Sequence, residues 1–283
     1  MEWERFDALL DAALAEDAAS RDVTTRALVA PERVVSARVR AGGDGVVCGL
    51  PLAQRLAERF DTRIEFDPCA RDGEAVAQGA VVAALRGPAA SILAVERVML
   101  NFLQRLSGVA TLAARFVEAV EGTGAHIYDT RKTTPGWRRL EKYAVRCGGG
   151  CNHRMDLGAA VLIKDNHLAL AAPGGIADAV RKAREACPDL TVEVEVEDLS
   201  QLEGALAAGP DVIMLDNMTP DEVRRAAEMV RRSGAGAAPA VEASGSITLA
   251  NAAEYAAAGA DRISVGALTH SAPAFDLSLD IVP

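Results

Sequence analysis

Apolar positions fall at different periods along the 283-residue chain, and the change from one regime to another divides it. Residues 2–16 carry Trp3, Phe6, Leu9, Leu10 and Leu14 at helical spacing, which predicts an amphipathic first helix. Ser20 to Thr25 reads as a turn. Val34 to Arg40 alternates as a strand does, Asp44-Gly45 marks a turn, and Val46-Val47 opens a second short extended run. Beyond Pro51 the spacing of Leu52, Leu56 and Phe60 is helical again, and extended pieces follow at Arg63 to Phe66 and Val81 to Arg86. Gly87-Pro88 stops that strand. Ile92, Val95, Val98, Met99, Phe102, Leu103 and Leu106 then share one helical face, with Arg105 the polar residue in the run. Ser107-Gly108 predicts a kink or a domain junction.

From about residue 109 strands and helices alternate. Short apolar strands are expected at His126 to Tyr128, Val161 to Ile163, Thr191 to Val196, Val212 to Leu215, Ala240 to Ala243 and Arg262 to Val265, most of them separated by a helical stretch. Polar residues gather directly after these strands, at Asp129 to Lys132, Lys164 to His167, Asp216-Asn217, Ser244-Gly245 and Gly266. A doubly wound sheet collects ligands only near a switch point, whereas a barrel uses the C-terminal ends of many strands. Contributions from five or more strands favour the barrel, and six strands favour an open or irregular one. The expected class is therefore α/β: an N-terminal α+β domain over 1–108, an open or irregular parallel α/β barrel over 109–270, and a tail over 271–283 returning to the N-terminal domain.

Composition narrows the function. Hydrophobic residues make up 50% and charged residues 25%, as in a folded globular chain. The net charge of −10 argues against binding a nucleic-acid backbone, which demands a basic face. The first residues lack a basic segment followed by an apolar one, and no apolar run nears the roughly 18 residues of a membrane span, so a cytoplasmic protein is expected. Five cysteines cannot complete an intramolecular disulfide framework. Cys147, Cys151 and His153 invite a zinc reading, but no second thiolate pair follows, and reduced thiols are expected.

Against this acidic background three motifs concentrate positive charge: Asp129-Thr130-Arg131-Lys132-Thr133-Thr134-Pro135-Gly136, Cys147 to Arg154, and Ile163-Lys164-Asp165-Asn166-His167. Only four of the 30 basic residues are lysines, and Lys132 and Lys164 stand in these motifs. Arg131, Lys132, Arg154 and Lys164, with His153 and His167, suit a local anion pocket onto which an acidic protein focuses small ligands. Thr191 to Glu197 alternates valine with glutamate, so Glu193, Glu195 and Glu197 share a face; in a barrel they point inward and need cations or a metal. Asp216 adds a carboxylate at another strand end, and with one inward glutamate it could hold Mg²⁺. Ser244-Gly245-Ser246 and Val265-Gly266-Ala267 offer small residues whose backbone N–H groups can meet a phosphate. Arg138, Arg139 and Lys142 read as a solvated helix face, with Arg138 or Arg139 within reach of a pyrophosphate. His126 and His270 read as structural, and each cation could instead pair internally with Glu193, Glu195 or Glu197.

These motifs carry a resemblance. Asp-Thr-Arg-Lys-Thr-Thr-Pro-Gly at 129–136, Glu-Lys-Tyr-Ala-Val at 141–145, Gly-Gly-Gly-Cys-Asn-His-Arg-Met at 148–155, Ile-Lys-Asp-Asn-His at 163–167, Glu-Val-Glu-Val-Glu at 193–197, Met-Leu-Asp-Asn at 214–217, Ser-Val-Gly-Ala-Leu-Thr-His at 264–270 and Arg-Asp-Val-Thr-Thr at 21–25 resemble the quinolinate phosphoribosyltransferases over nearly the whole chain. Cys151 and Ser246 depart from the family's usual alanine and glycine. The resemblance implies transfer of phosphoribose from 5-phosphoribosyl-1-pyrophosphate to quinolinate with decarboxylation, in NAD synthesis. It implies that Arg131, Arg154, Lys164 and His153 clamp quinolinate, with Arg105 arriving from the other subunit of a homodimer. Lys132 and the glycine loops, with Thr130, would hold phosphate, while Glu195 and Asp216 would bind Mg²⁺ and sugar hydroxyls. Rival readings are the related branch associated with molybdenum transport, a non-catalytic ligand-binding barrel, and a Schiff-base aldolase using Lys164.

Overall fold

The computed structural model describes residues 1–170, 174–233 and 238–282. Chain contacts separate two compact units, one comprising 1–112, 146–149 and 272–283, the other 113–145 and 150–271.

In the first unit a 3-10 turn, Trp3–Phe6, leads into α1 (Asp7–Glu16). The expected turn after Ser20 is a helix instead: α2 (Val23–Leu28) begins where the Asp22 side chain accepts the N–H groups of Thr24 and Thr25, each at 3.0 Å. An aspartate followed by two threonines looks like a turn, but here it caps. Strand β1 (Val34–Ala41) alternates as expected, burying Val35, Ala37, Val39 and Ala41. β2 (Gly45–Val46), α3 (Leu50–Phe60), β3 (Glu65–Pro68), β4 (Ala75–Val76) and β5 (Val81–Pro88) follow. β12 (Leu277–Val282), close to the chain's end, pairs antiparallel with β1, giving a four-stranded antiparallel sheet in the order β12-β1-β5-β3.

Helix α4 (Ala89–Ala119) runs through Ser107 and Gly108 without interruption, so of the kink or domain junction expected there the kink is absent. Both residues are there for packing. The Ser107 hydroxyl oxygen accepts the Cys48 N–H at 2.9 Å and donates to the Cys48 carbonyl at 3.2 Å. A Cβ on Gly108 would stand 2.0 Å from the Pro273 carbonyl oxygen, so only glycine lets that segment lie on the helix.

The second unit contains β6 (His126–Tyr128), α5 (Arg138–Cys147, its last two residues counted with the first unit), β7 (Val161–Ile163), α6 (Asp165–Leu170), α7 (Gly175–Ala186), β8 (Val192–Val196), α8 (Leu199–Ala208), β9 (Val212–Asp216), α9 (Pro220–Arg232), β10 (Ala240–Ser244), α10 (Ala252–Ala257), β11 (Arg262–Ser264) and α11 (Ala267–His270). All six expected strands are present in one parallel sheet ordered β6-β11-β10-β9-β8-β7. Among the described residues no ladder joins β6 to β7, which leaves the sheet open at that seam. Segment 150–153 covers the β6 edge there, with Cys151 N–H donating to Ile127 O at 2.7 Å and Asp129 N–H to Cys151 O at 3.1 Å. Cys151 holds this place through its backbone, so a cysteine in place of alanine leaves the pairing intact.

Parallel strands put every strand's C-terminal end at one rim. All five polar clusters read from the sequence therefore share a mouth. Strand β8 is buried along its whole length, as its alternation of valine and glutamate requires of a strand with two covered faces.

Candidate functional site

Asp129, the first residue after β6, is fully buried and organises the mouth. Its carboxylate accepts from the Asn152 side chain at 2.5 Å and the His153 N–H at 2.9 Å, and it forms an ion pair with Lys142. Lys142 is also fully buried, and its ammonium reaches the His153 carbonyl at 2.9 Å. The expectation of a solvated Lys142 is thus corrected. Burial pushes Asp129 above its ordinary pKa and Lys142 below its own, and the attraction between the two opposes both shifts.

Two further α5 side chains brace the loop after β6. Buried Glu141 accepts from the Thr134 N–H at 3.0 Å and hydroxyl at 2.8 Å. Arg138, expected on a solvated face, is half-buried, donating to Thr133 Oγ1 at 3.0 Å, Met155 O at 3.3 Å and Arg131 O at 3.4 Å. Arg139 is exposed. The Lys132 N–H is held by Thr130 Oγ1 at 3.0 Å, and the Lys132 carbonyl by the Thr269 hydroxyl at 2.8 Å. With the backbone fixed, the side chains of Arg131 and Lys132 remain available for a ligand. Among the described residues Arg131 Nε is buried without a hydrogen-bond partner. Arg154 donates to Ala160 O at 3.1 Å; burial pulls its pKa down, and repulsion from nearby Arg131 adds to that. Two guanidinium groups held together against their own repulsion are a preorganised anion site.

His153 stands between two buried carboxylates, its Nε2 lying 3.0 Å from Glu193 and 3.4 Å from Glu242. Burial disfavours its charged form, but the two carboxylates outweigh burial and push its pKa up to about 9. The Arg154 N–H lies 2.8 Å from His153 Nδ1, a contact that holds the ring with Nε2 facing the two carboxylates. Burial raises the Glu193 pKa, His153 opposes that rise and Glu242 adds to it. One of the expected internal pairings is thus His153 with Glu193.

Glu195, on the same strand, is buried and ion-paired with Lys164, another of those internal pairings. An ammonium in a carboxylate contact is not the neutral amine a Schiff-base mechanism requires. Glu197 corrects the third inward glutamate: it lies beyond the end of β8 and is exposed. Asp216 ends β9 and accepts from the Asn217 side chain at 2.7 Å. Register aligns Glu195 and Glu242 with the same residue, Met214, so both face the interior with it in one layer. Glu242 was missed in the sequence because a single glutamate in a five-residue strand shows no alternation of charge.

Ser244 ends β10, and Gly245 follows at φ +97°, where a Cβ would stand 2.2 Å from Asn217 Oδ1. Ser246, at the family's glycine position, takes a left-handed φ of +52°. Val265 N–H donates to Tyr128 O at 2.9 Å, and Gly266 precedes Ala267, the first residue of α11. Lys132 Cδ would lie 3.2 Å from a Cβ on Gly266, which brings the lysine against this glycine loop. His270 is exposed and His126 is exposed. Arg105 belongs to the other unit, on α4, where it donates to Ala272 O at 3.0 Å.

Comparisons with known proteins agree with this arrangement. Residues 22–107 match the quinolinate phosphoribosyl transferase N-terminal domain, and residues 109–280 match its C-terminal domain. The chain is 42% identical over 277 residues to a probable nicotinate-nucleotide pyrophosphorylase [carboxylating] of Bacillus subtilis, covering 96% of this chain and 92% of that protein. It is 41% identical over 279 residues to the human nicotinate-nucleotide pyrophosphorylase [carboxylating], covering 97% and 91%. The solved nicotinate-nucleotide pyrophosphorylase of Francisella tularensis superposes with a TM-score of 0.92 at 37% identity, over 100% of this chain and 98% of that one. With both family domains matched, over 22–107 and 109–280, and the charged motifs of the second unit gathered at one rim, the chain belongs to the quinolinate phosphoribosyltransferase family.

Proposed function

We propose a division of labour among these side chains for the reaction of the family, in which the pyridine nitrogen of quinolinate displaces pyrophosphate from 5-phosphoribosyl-1-pyrophosphate. Loss of CO₂ then gives nicotinate mononucleotide. The observation that carries the assignment is the Arg131–Arg154 pair, near enough for mutual repulsion, with Arg131 Nε buried and, among the described residues, without a hydrogen-bond partner. Quinolinate presents two adjacent carboxylates on a rigid ring, and such a ligand relieves that repulsion. Lys164 and His153 complete the clamp, and the fixed cations stabilise the electron pair left on the ring as the carboxylate departs.

Lys132, beside Gly266, holds phosphate together with Thr130 and the backbones of Ser244, Gly245, Ser246, Val265 and Ala267. Glu195 and Asp216 supply oxygen donors alone, on adjacent strands, which suits Mg²⁺ better than a softer ion. An ion held by Glu195 and Asp216 would supply positive charge to offset that of the leaving pyrophosphate. Because Lys164 is paired with Glu195 in the unliganded site, substrate binding exchanges partners: the ammonium turns to a quinolinate carboxylate, and Glu195 becomes available to the ribose and the ion.

The same reading makes the working unit a homodimer in the cytoplasm, with Arg105 of one protomer completing the site of the other. Reduced cysteines suit that compartment, and among the described residues no helix is long and apolar enough to cross a membrane. The test is formation of nicotinate mononucleotide from the two substrates. Arg154→Ala and Lys164→Ala are each expected to lower kcat/KM by about 100-fold, the equivalent of one charge-assisted contact of about 3 kcal/mol, with circular dichroism unchanged. Unaltered rates in both variants would refute the clamp.

A further inference from the structure

The first unit brings together three donor side chains that the reaction does not use. Cys48 precedes α3, Asp72 lies between β3 and β4, and Cys147 closes α5. All three belong to the same compact unit, and one ligand atom from each lies within 4.8 Å of the others. A tetrahedral zinc-class ion holds sulfur at about 2.3 Å and carboxylate oxygen at about 2.0–2.2 Å, which sets its ligands roughly 3.5–3.8 Å apart. Small rotamer shifts would bring these three onto such an ion.

The surroundings hold each donor in place. Asp72 Oδ1 accepts the N–H groups of Gly49 and Leu50, both at 2.9 Å, which fixes the carboxylate plane. Cys48 is fully buried, and its backbone is clamped at both N–H and carbonyl by Ser107. Gly73, at φ +91°, would place a Cβ 3.2 Å from the Cys147 carbonyl, so the Asp72 loop lies directly against the Cys147 backbone. Its N–H donates to Val47 O at 2.9 Å, which anchors the loop to the residue before Cys48. Such outer contacts are the kind that orient ligands around a metal.

We propose that Cys48, Asp72 and Cys147 form a site for a thiophilic divalent cation of the zinc class, separate from the oxygen-only Mg²⁺ position. Binding replaces two S–H bonds with two metal–sulfur bonds and releases two protons, with no change of oxidation state. Three protein ligands leave a fourth position for water. The ion would tie the start of α3, the β3–β4 loop and the 146–149 segment together, a structural rather than a catalytic role.

Co²⁺ is the probe, added to the metal-free, fully reduced, full-length protein. Thiolate-to-cobalt charge transfer absorbs strongly in the near ultraviolet, whereas oxygen and nitrogen ligands at the mouth give only weak visible bands. The expected result is an intense band that saturates at about one Co²⁺ per chain and disappears when Zn²⁺ is added. Cys147→Ser should abolish it, and Asp72→Asn, which keeps an oxygen for the Gly49 and Leu50 N–H groups, should weaken binding at least about tenfold. A second readout needs no variant: Zn²⁺ should protect half-buried Cys147 from alkylation while exposed Cys69 is still labelled. Absence of the band in the wild-type protein, its persistence in Cys147→Ser, or equal labelling of Cys147 with and without Zn²⁺ would overturn the proposal.

Discussion

Lys142→Met tests the buried pair beneath the mouth. Methionine fills a similar volume but removes the ammonium that pairs with fully buried Asp129 and donates to the His153 carbonyl. At about 3 Å and an effective dielectric of about 20, the pair's attraction is roughly 5 kcal/mol, and breaking such a pair from one side costs about 3–5 kcal/mol because the other charge stays buried. At about 2–4 °C per kcal/mol, Tm should fall by roughly 10 °C. The pH dependence identifies the cause. Burial already raises the Asp129 pKa, and removing Lys142 removes the attraction that opposes the rise. A carboxyl whose folded pKa is raised costs stability progressively as pH climbs from the unfolded value, about 3.9, up to the folded value, and costs nothing only below the unfolded value, where the group is neutral in both states. The Tm deficit of Lys142→Met relative to wild type should therefore be larger at about pH 8 than at about pH 5. Adding Asp129→Asn should recover part of the loss, since a neutral amide tolerates burial and its NH₂ can donate. Differential scanning calorimetry of the four proteins across that range measures each quantity. A deficit under about 1 kcal/mol, or one independent of pH and additive with Asp129→Asn, would refute the account.

Three other outcomes follow from the site. Activity should require a divalent cation, and Asp216→Asn should raise the Mg²⁺ concentration needed for half-maximal rate about tenfold; full activity in excess chelator would remove the metal from the scheme. Ser246→Gly should leave Tm unchanged or raise it by about 1–3 °C, because glycine adopts the φ of +52° without the Cβ clash that serine bears; a marked fall would show that the serine hydroxyl supports the loop. Mixing inactive Arg105→Ala with inactive Lys164→Ala should restore activity toward about a quarter of wild type, since random pairing of a dimer leaves that share of sites without a lesion when the arginine acts across the interface. A mixture that stays inactive under subunit exchange would place Arg105 in its own chain's site.

The strands were legible because each is a short apolar run with its own boundary signal, and the mouth was legible because parallel strands deliver their C-terminal residues to one rim whatever the helices between them do. What sequence reading missed has a common physical origin in contacts between distant residues. Lys142 carries no local sign of burial, since a lysine two positions from Leu140 on a helix looks solvated until Asp129 is found beneath it. Ser107 and Gly108 carry the composition of a break, yet a partner segment at Pro273 and a backbone at Cys48 turn them into the small residues that let a long helix be approached closely. Glu197 continues the alternation in sequence after the strand itself has ended, because periodicity extends one residue past the last ladder partner. The same reasoning explains why Cys147 invited grouping with Cys151, four residues away. Cys151 belongs to the β6 seam, whereas the donors that meet Cys147 come from positions 48 and 72, which no spacing rule connects and only the fold of the first unit brings within reach.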